Sequence, residues 1–306
     1  MRMRFRRVEH RAGVLLRGPA GWGEFSPFPE YAPGYTARWL AAAREAATVP
    51  WPAARRTSIP VNVTVPAVDP TTAAELVRRS GCRTAKVKVA EPGQTLADDV
   101  ERVAAVREAL GPAGRIRVDA NAAWDVASAS LAITRLASAE LEYVEQPVAT
   151  LSEMRDLRRR VPVPLAADES VRTAEDPLRI ADLDAADVLV LKVQPLGGVH
   201  RALEVADAAG LPVVVSSALE TSVGLAAGLA FAAALPELPY ACGLATASLL
   251  AGDVVLDPLL PEEGAIAVRR PAPDRALLDT WVPGPDETAD LLDRLAAADA
   301  ATGSFR

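Results

Sequence analysis

The chain has 306 residues, half of them apolar, and a formal net charge of −7. That length suits one large α/β domain or two ordinary ones, and the acidic balance argues against nucleic acid or an anionic membrane as partner. Two cysteines, Cys82 and Cys242, make no disulfide framework; with no apolar stretch of signal-peptide length near Met1 and no membrane-length segment, they point to a reducing cytoplasm.

Taken in chain order, residues 4–16 predict a strand pair with a turn near Ala12-Gly13. Gly21-Trp22-Gly23-Glu24 and Pro27-Phe28-Pro29-Glu30-Tyr31 then read as a rigid aromatic loop, and a helix follows at 36–47. From residue 58 strand-like and helix-like segments alternate. Strands are predicted at 59–65, 83–89, 115–120, 141–146, 163–168, 187–193, 212–217 and 240–246. Helices are predicted at 70–80, 96–110, 123–137, 151–159, 174–181, 198–209 and 221–234. The strands are short and apolar on both faces, as parallel strands covered by helices should be. This is the pattern of an α/β (β/α)8-type barrel over residues 58–254. An open doubly wound sheet is the rival, but no G-x-G-x-x-G follows the first strand. The segment Gly264-Ala265-Ile266-Ala267-Val268 predicts a strand returning to the N-terminal sheet, and a helix is predicted at 286–298. Residues 1–57 plus about 255–306 therefore read as a small, shortened α+β capping domain.

Only three lysines stand against thirty arginines: Lys86, Lys88 and Lys192, each within an apolar run. Arginine cannot lose its proton in a protein, whereas lysine can when it is desolvated or set beside another cation. The bias points to proton transfer. Barrel enzymes place their chemistry at the C-terminal ends of the strands. Those ends carry Lys86-Val87-Lys88, Arg117-Val118-Asp119-Ala120-Asn121, Val144-Glu145-Gln146-Pro147, Ala167-Asp168-Glu169-Ser170 and Lys192. Side chains alternate along a strand, so Lys86 and Lys88 share a face, as do Asp119 and Asn121. Asp119, Glu145 and Asp168 are 26 and 23 residues apart, about one βα unit each, so the three carboxylates converge at the barrel mouth. Any one of them alone reads equally well as a structural salt bridge; the ordered set is what points to chemistry. All-oxygen ligation selects a hard ion, Mg²⁺, with Mn²⁺ as a substitute. Such a site supports removal of a proton next to a carboxylate, with the metal stabilising the enolate and a lysine as base.

These motifs, together with Lys192-Val193-Gln194-Pro195-Leu196-Gly197-Gly198, resemble the enolase superfamily, specifically its muconate-lactonising subgroup. Gly21-Trp22-Gly23-Glu24 is similar to the cap motif of that family. The resemblance implies that Asp119, Glu145 and Asp168 bind Mg²⁺. It implies that Lys88 is the principal base, with Lys86 beside it to tune its pKa, and that Lys192 lies on the opposite face. Subgroups with a histidine base on the seventh strand do not fit, because residues 213–217 contain no His; His10 and His200 have no place in the scheme. The short cap and the run Ser216-Ser217-Ala218-Leu219-Glu220-Thr221-Ser222-Val223-Gly224 are similar to the compact o-succinylbenzoate synthase family of actinobacteria. That likeness implies a Mg²⁺-dependent syn-dehydration of a succinyl-hydroxycyclohexadiene carboxylate in menaquinone biosynthesis, with a small-molecule carboxylate as substrate. The alternative is an N-acylamino acid racemase using Lys88 and Lys192 as opposed bases. A dipeptide epimerase does not fit, because residues 241–246 lack its paired acidic motif. A non-catalytic binding barrel is the reading from another class, and retention of all three lysines and all three carboxylates speaks against it. Ser216, Ser217, Gly197, Gly198 and Asn121 are candidates for substrate binding, although Ser and Gly there equally suit turns and helix starts. Arg117 and Glu169 read as partners that orient the ligands, or as ordinary barrel salt bridges. Phe25, Phe28 and Tyr31 either close the site or pack the cap on the barrel. Oligomeric state is not specified.

Overall fold

The structure, a computed structural model, describes residues 1–2, 8–172 and 179–302. Strands β1 (Val14–Gly18) and β2 (Gly21–Phe25) form an antiparallel hairpin, with Val14 opposite Phe25 and Gly18 opposite Gly21. The turn between β1 and β2 falls at Pro19-Ala20, and Gly21-Trp22-Gly23-Glu24 is strand rather than loop. Part of the strand pair expected at 4–16 lies outside the described residues. Helix α1 (Pro33–Thr48) packs on this hairpin.

The alternating region runs β3 (Ser58–Pro60), β4 (Val63–Val65), α2 (Pro70–Ser80), β5 (Thr84–Lys88), α3 (Leu96–Leu110), β6 (Arg115–Asp119), α4 (Val126–Leu136), β7 (Leu141–Glu145) and α5 (Leu151–Arg158). It continues through β8 (Leu165–Ala167), α6 (Glu169–Arg172), α7 (Arg179–Asp182), β9 (Val188–Leu191), α8 (Val193–Leu196), α9 (Val199–Ala209), β10 (Val213–Val215) and α10 (Ser222–Ala234). Much of the helix expected at 174–181 lies outside the described residues. Several helix starts are written locally: Thr95 with Asp98, and Thr150 with Glu153, form capping boxes.

Strands β4 to β10 make one parallel seven-stranded sheet in sequence order. The sheet curls and is joined edge to edge by Cys242, which bridges Val61, and Gly243, which bridges Ser216. Cys242 N donates to Pro60 O at 2.7 Å, Asn62 N to Cys242 O at 3.0 Å, and Gly243 N to Val215 O at 2.8 Å. The eighth strand expected at 240–246 is thus reduced to these bridges, and the chain turns at once into a 3-10 helix, Ala245–Leu249. Gly243 is part of the reason. A Cβ there would lie 2.6 Å from Ser216 Oγ, so closure uses a residue that weakens a longer strand.

The first barrel strand is split. β3 leaves the barrel ladder to pair antiparallel with β11 (Ala265–Ala267), Ile59 opposite Ile266. The returning strand therefore joins the start of the barrel, not the N-terminal hairpin. After α11 (Arg275–Thr280), α12 (Pro285–Ala301) packs on α1, with Ala298 in one cluster with Phe25, Phe28 and Trp39. No helix among the described residues is long and apolar enough to cross a membrane.

Strand alternation sorts the barrel side chains. Val87, Val118 and Val144 join the main hydrophobic cluster. The intervening residues form two registered rows, Lys88–Asp119–Glu145 at the strand ends and Lys86–Arg117–Tyr143 one layer below.

Candidate active site

Because Lys88, Asp119 and Glu145 are register partners on adjacent strands, their side chains meet without loop rearrangement. Lys88 Nζ donates to Asp119 Oδ2 at 2.5 Å and to Asn121 Oδ1 at 2.6 Å. Lys86 reaches up from the lower row and bridges Glu145 Oε1 at 2.8 Å and Asp119 Oδ2 at 3.2 Å. Asp168 follows β8, and Lys192, the first residue after β9, donates to its Oδ1 at 2.7 Å. Lys86, Lys88 and Lys192 are only 5–8% exposed, and the carboxylates 0–2%. Three ammonium groups thus balance three carboxylates in a buried site, with Lys88 and Lys192 on opposite flanks of the acidic strands.

Burial pushes the Glu145 carboxyl up to about 7, and Asp119 adds to the rise while Lys86 opposes it. Burial works against the Lys86 ammonium, but Glu145 and Asp119 outweigh it and hold its pKa above the ordinary value. Glu145 Oε2 is buried without a hydrogen-bond partner. Among the described residues no three acidic, His or Cys side chains are gathered closely enough to hold an ion as they stand. The lysines occupy the carboxylates instead. The donor set nevertheless suits a hard divalent cation: three carboxylates on successive strand ends, one with an unpaired buried oxygen.

The other expected residues divide. Asn121, at φ +46°, joins the site: its N–H donates to Asp119 Oδ1 at 3.0 Å and its Nδ2 to Glu169 Oε1 at 3.2 Å. Arg117 braces the layer below. It donates to Glu142 Oε2 at 2.6 Å and Ala241 O at 2.7 Å, and its guanidinium lies 4.8 Å from the Tyr143 ring centroid. Ser217 Oγ donates to Gly243 O at 2.9 Å, so Ser216 and Ser217 both sit at the barrel seam. The backbone after Gly197 and Gly198 is not open to a substrate: Val199 N–H donates to Glu45 Oε1 of α1 at 2.6 Å, and a Cβ on Gly198 would overlap that carboxylate. The pair serves cap docking because α1 lies directly against the start of α9. Phe25 and Phe28 are buried with Ala218 and Leu219, which makes them packing between cap and barrel, and Tyr31 meets Phe28 edge-on at 5.8 Å. His200 pairs with Glu45 at 3.3 Å and His10 with Glu287 at 2.9 Å, both away from the lysines.

Three groups escaped the sequence reading. Gln146, fully buried at φ +36°, accepts from Asp168 N at 3.0 Å and Ser170 N at 3.1 Å and donates to Ser170 Oγ at 2.8 Å. It sets the loop carrying Asp168; its place beside Glu145 in the strand-end motif was the available signal. Arg102 donates to the carbonyl of Lys88 at 3.0 Å, and nothing in the sequence distinguishes it from other helical arginines. Glu24 accepts from Thr221 Oγ1 at 2.5 Å and Gly224 N at 3.0 Å, tying the cap motif to the start of α10.

A capped parallel barrel with lysines facing each other across strand-end carboxylates is the architecture of an enzyme that moves protons at carbon. The chain belongs to the enolase superfamily: the "Enolase C-terminal domain-like" family matches residues 70–274 and "Enolase N-terminal domain-like" matches residues 1–47. Enzymes of this superfamily generally depend on a divalent metal. The chain is 65% identical over 270 residues to o-succinylbenzoate synthase of Thermobifida fusca (strain YX), covering 88% of this chain and 85% of that one. It is 54% identical to o-succinylbenzoate synthase of Mycobacterium ulcerans (strain Agy99), covering 97% of this chain and 90% of the other. Among solved structures it is similar to the muconate lactonizing enzyme from Pseudomonas putida, with TM-score 0.67 and 26% identity over 74% of this chain and 67% of that one.

Proposed function

We propose that this enzyme dehydrates a succinyl-hydroxycyclohexadiene carboxylate to o-succinylbenzoate, a step of menaquinone biosynthesis carried out in the cytoplasm on a small-molecule carboxylate, with no nucleic acid or membrane partner. The carrying observation is that Lys88, Asp119, Glu145, Asp168 and Lys192 stand on five successive strand ends in a chain 65% identical to a protein of that activity. Residues 58–254 would be the catalytic barrel, and residues 1–57 with about 255–306 the cap. Asp119, Glu145 and Asp168 would hold Mg²⁺, with Mn²⁺ able to replace it. When bound, the metal supplies Lewis-acid stabilisation of the enolate charge on the substrate carboxylate.

The lysines do the rest. Lys88, as neutral amine, takes the proton α to the ring carboxylate, and the charge of Lys86 beside it favours that neutral form. The protonated Lys88 then gives the proton to the departing hydroxyl on the same face. One C–H and one C–O bond break, a C=C bond forms, and water leaves: a syn elimination. Lys192 stays an ammonium over the developing ring and stabilises it by charge and cation–π attraction. Asn121 and Glu169 hold Lys88 on its flank, and Ser216 and Ser217 are the candidates nearest the seam for the succinyl end.

One observation favours a second reading, N-acylamino acid racemase. Lys192 has its own carboxylate, Asp168, and so provides a second acid–base group on the opposite flank. A single assay separates the two. Absorbance-monitored formation of o-succinylbenzoate with Mg²⁺, abolished by chelator and lowered at least about 10³-fold in Lys88→Ala, is the expected result. A folded, metal-binding wild type without turnover, but with solvent exchange of the α-proton of N-acylamino acids from both faces, would put the racemase in its place.

A further inference from the structure

We infer that Arg102 is a positioning residue for Lys88; the inference rests on Lys88 being the base. Arg102 lies on α3, outside the barrel, and is 1% exposed. All three of its guanidinium nitrogens donate. Nε donates to Val68 O at 2.7 Å, Nη1 to Lys88 O at 3.0 Å and Asp99 Oδ1 at 2.8 Å, and Nη2 to Gln94 Oε1. Val68 follows β4 and Lys88 ends β5, so the fork straps together the mouth ends of two adjacent strands. Gln94 Nε2 repeats the strap by donating to Ala67 O at 3.0 Å.

The decisive detail is a single peptide unit. The carbonyl of Lys88 accepts from Arg102, and the N–H at the other side of the same unit, Val89 N, donates to Asp119 O at 3.1 Å. The next residue, Ala90, is left-handed at φ +59°, and its N–H is held by Asp99 Oδ2 at 2.9 Å. Rotation of the Lys88–Val89 peptide would swing the lysine side chain, and both ends of that peptide are fixed. A misplacement of about 1 Å at the reacting groups costs roughly 10²-fold in rate. Lysine could not replace this arginine, because four acceptors are met by one rigid planar fork. A buried ion pair is often matched or bettered by apolar residues of similar volume, so Arg102–Asp99 is better understood through what it orients.

The test uses the full-length enzyme with Arg102→Met and Asp99→Leu combined, which removes both charges and leaves neither one buried alone. Gln94→Ala is the milder second variant. The chain has only three lysines, so lysine-labelled protein gives three side-chain NMR signals, assigned by single Lys→Arg variants. The expected result for the double variant, measured on its folded fraction, is a fall in kcat of about 10- to 100-fold with KM within about twofold; its thermal midpoint falls as well, because the Val68 and Lys88 carbonyls and the Ala90 N–H lose their partners. Alongside it the Lys88 signal shifts while the Lys192 signal does not; Gln94→Ala gives the same pattern at smaller amplitude. Unchanged kcat with an unmoved Lys88 signal overturns the inference. So does a fall in activity that only follows the unfolded fraction, with all three lysine signals fading together. If the double variant does not fold, an unmoved Lys88 signal in Gln94→Ala overturns it. Absence of dehydration by the wild type would sink the proposed function instead, and the lysine signals would still judge Arg102.

Discussion

Glu24 and Glu220 are buried neighbours where the cap meets the barrel; burial raises both carboxyls, and hydrogen bonds from Thr221 and Ser26 offset the rise at Glu24. Glu24 accepts from Ser26 Oγ at 2.7 Å, Thr221 Oγ1 at 2.5 Å and Gly224 N at 3.0 Å. Glu220 accepts from Ala218 N at 2.8 Å through one oxygen, and the other has no partner. Arg11 spends its donors on the carbonyls of Leu219, Ala218 and Ser26. Glu220 is therefore the group that keeps a proton: burial, and then the charge of Glu24, push it up to about 7 from an ordinary 4.5. In the unfolded chain it ionises near the ordinary value, so between the two pH values the folded state binds more protons. Its contribution to stability is thus full at low pH and falls as pH rises from about 4.5 to about 7, by up to about 3 kcal/mol. Glu220→Gln should flatten that part of the pH–stability curve, as urea unfolding at pH 5 and pH 8 will show; parallel wild-type and variant curves would refute the assignment. Gln146 makes a different kind of demand. Gln146→Leu keeps the shape but strips the acceptor from Asp168 N and Ser170 N, and calorimetric titration with Mg²⁺ should show affinity reduced about 10- to 100-fold. The three lysines were legible because lysine is rare in this chain. Gln146 and Glu220 were not, because one polar letter in a motif does not disclose that its side chain is fully enclosed.

Two consecutive barrel helices begin on carboxylates supplied by the cap. Glu45 of α1 accepts from Val199 N at the start of α9, and Glu24 of β2 accepts from Thr221 N and Gly224 N at the start of α10. A carboxylate at a helix N-terminus meets unsatisfied N–H groups and the positive end of the helix dipole, so these contacts fix the cap as well as the helices. Gly198 permits the first of them. Its φ is +139°, and a Cβ would overlap the Glu45 carboxylate. Gly198→Ala should cost about 1–3 kcal/mol from backbone strain and displacement of Glu45. Glu45→Ala should cost about 1 kcal/mol, as for a lost cap. Because both act on one contact, the double variant should fall short of the sum, and a thermal double-mutant cycle measures the shortfall; strict additivity would mean that the two residues do not share a role. The same physics explains which elements the sequence pattern disclosed. α2, α3 and α5 start at Asp69, Thr95 and Thr150, whose side chains accept from backbone N–H groups within the first turn. β2 was misread because two of its five residues are glycine, and Gly23 is present for a tertiary reason, the close approach of the Ala43 carbonyl of α1.

For the whole molecule, alternation of apolar runs and amphipathic segments disclosed the barrel, because each βα unit carries its own local pattern. Closure did not show, because it depends on residues far apart in sequence that meet only when the other strands are in place. The seam consists of the Cys242–Val61 and Gly243–Ser216 bridges, as short as the two-residue registers on either side of β8 and much shorter than the five-residue register of β5 and β6. Few hydrogen bonds across a junction make it a low point of local stability. Cys242 reports on that junction, since it is fully buried and burial pushes its thiol up to about 12, leaving it unreactive while the barrel is shut. Labelling of Cys242 by a thiol reagent should therefore proceed through seam opening, at a rate nearly independent of urea at low concentration and at least about 10-fold above that expected from global unfolding. Cys82, on the α2–β5 connection at the opposite end of the strands from the lysines, serves as the internal comparison. If Cys242 labelling instead rises with urea from the first addition, with the full slope of global unfolding, the barrel opens only as one unit. The two-residue closure would then be as firm as the continuous ladders it joins.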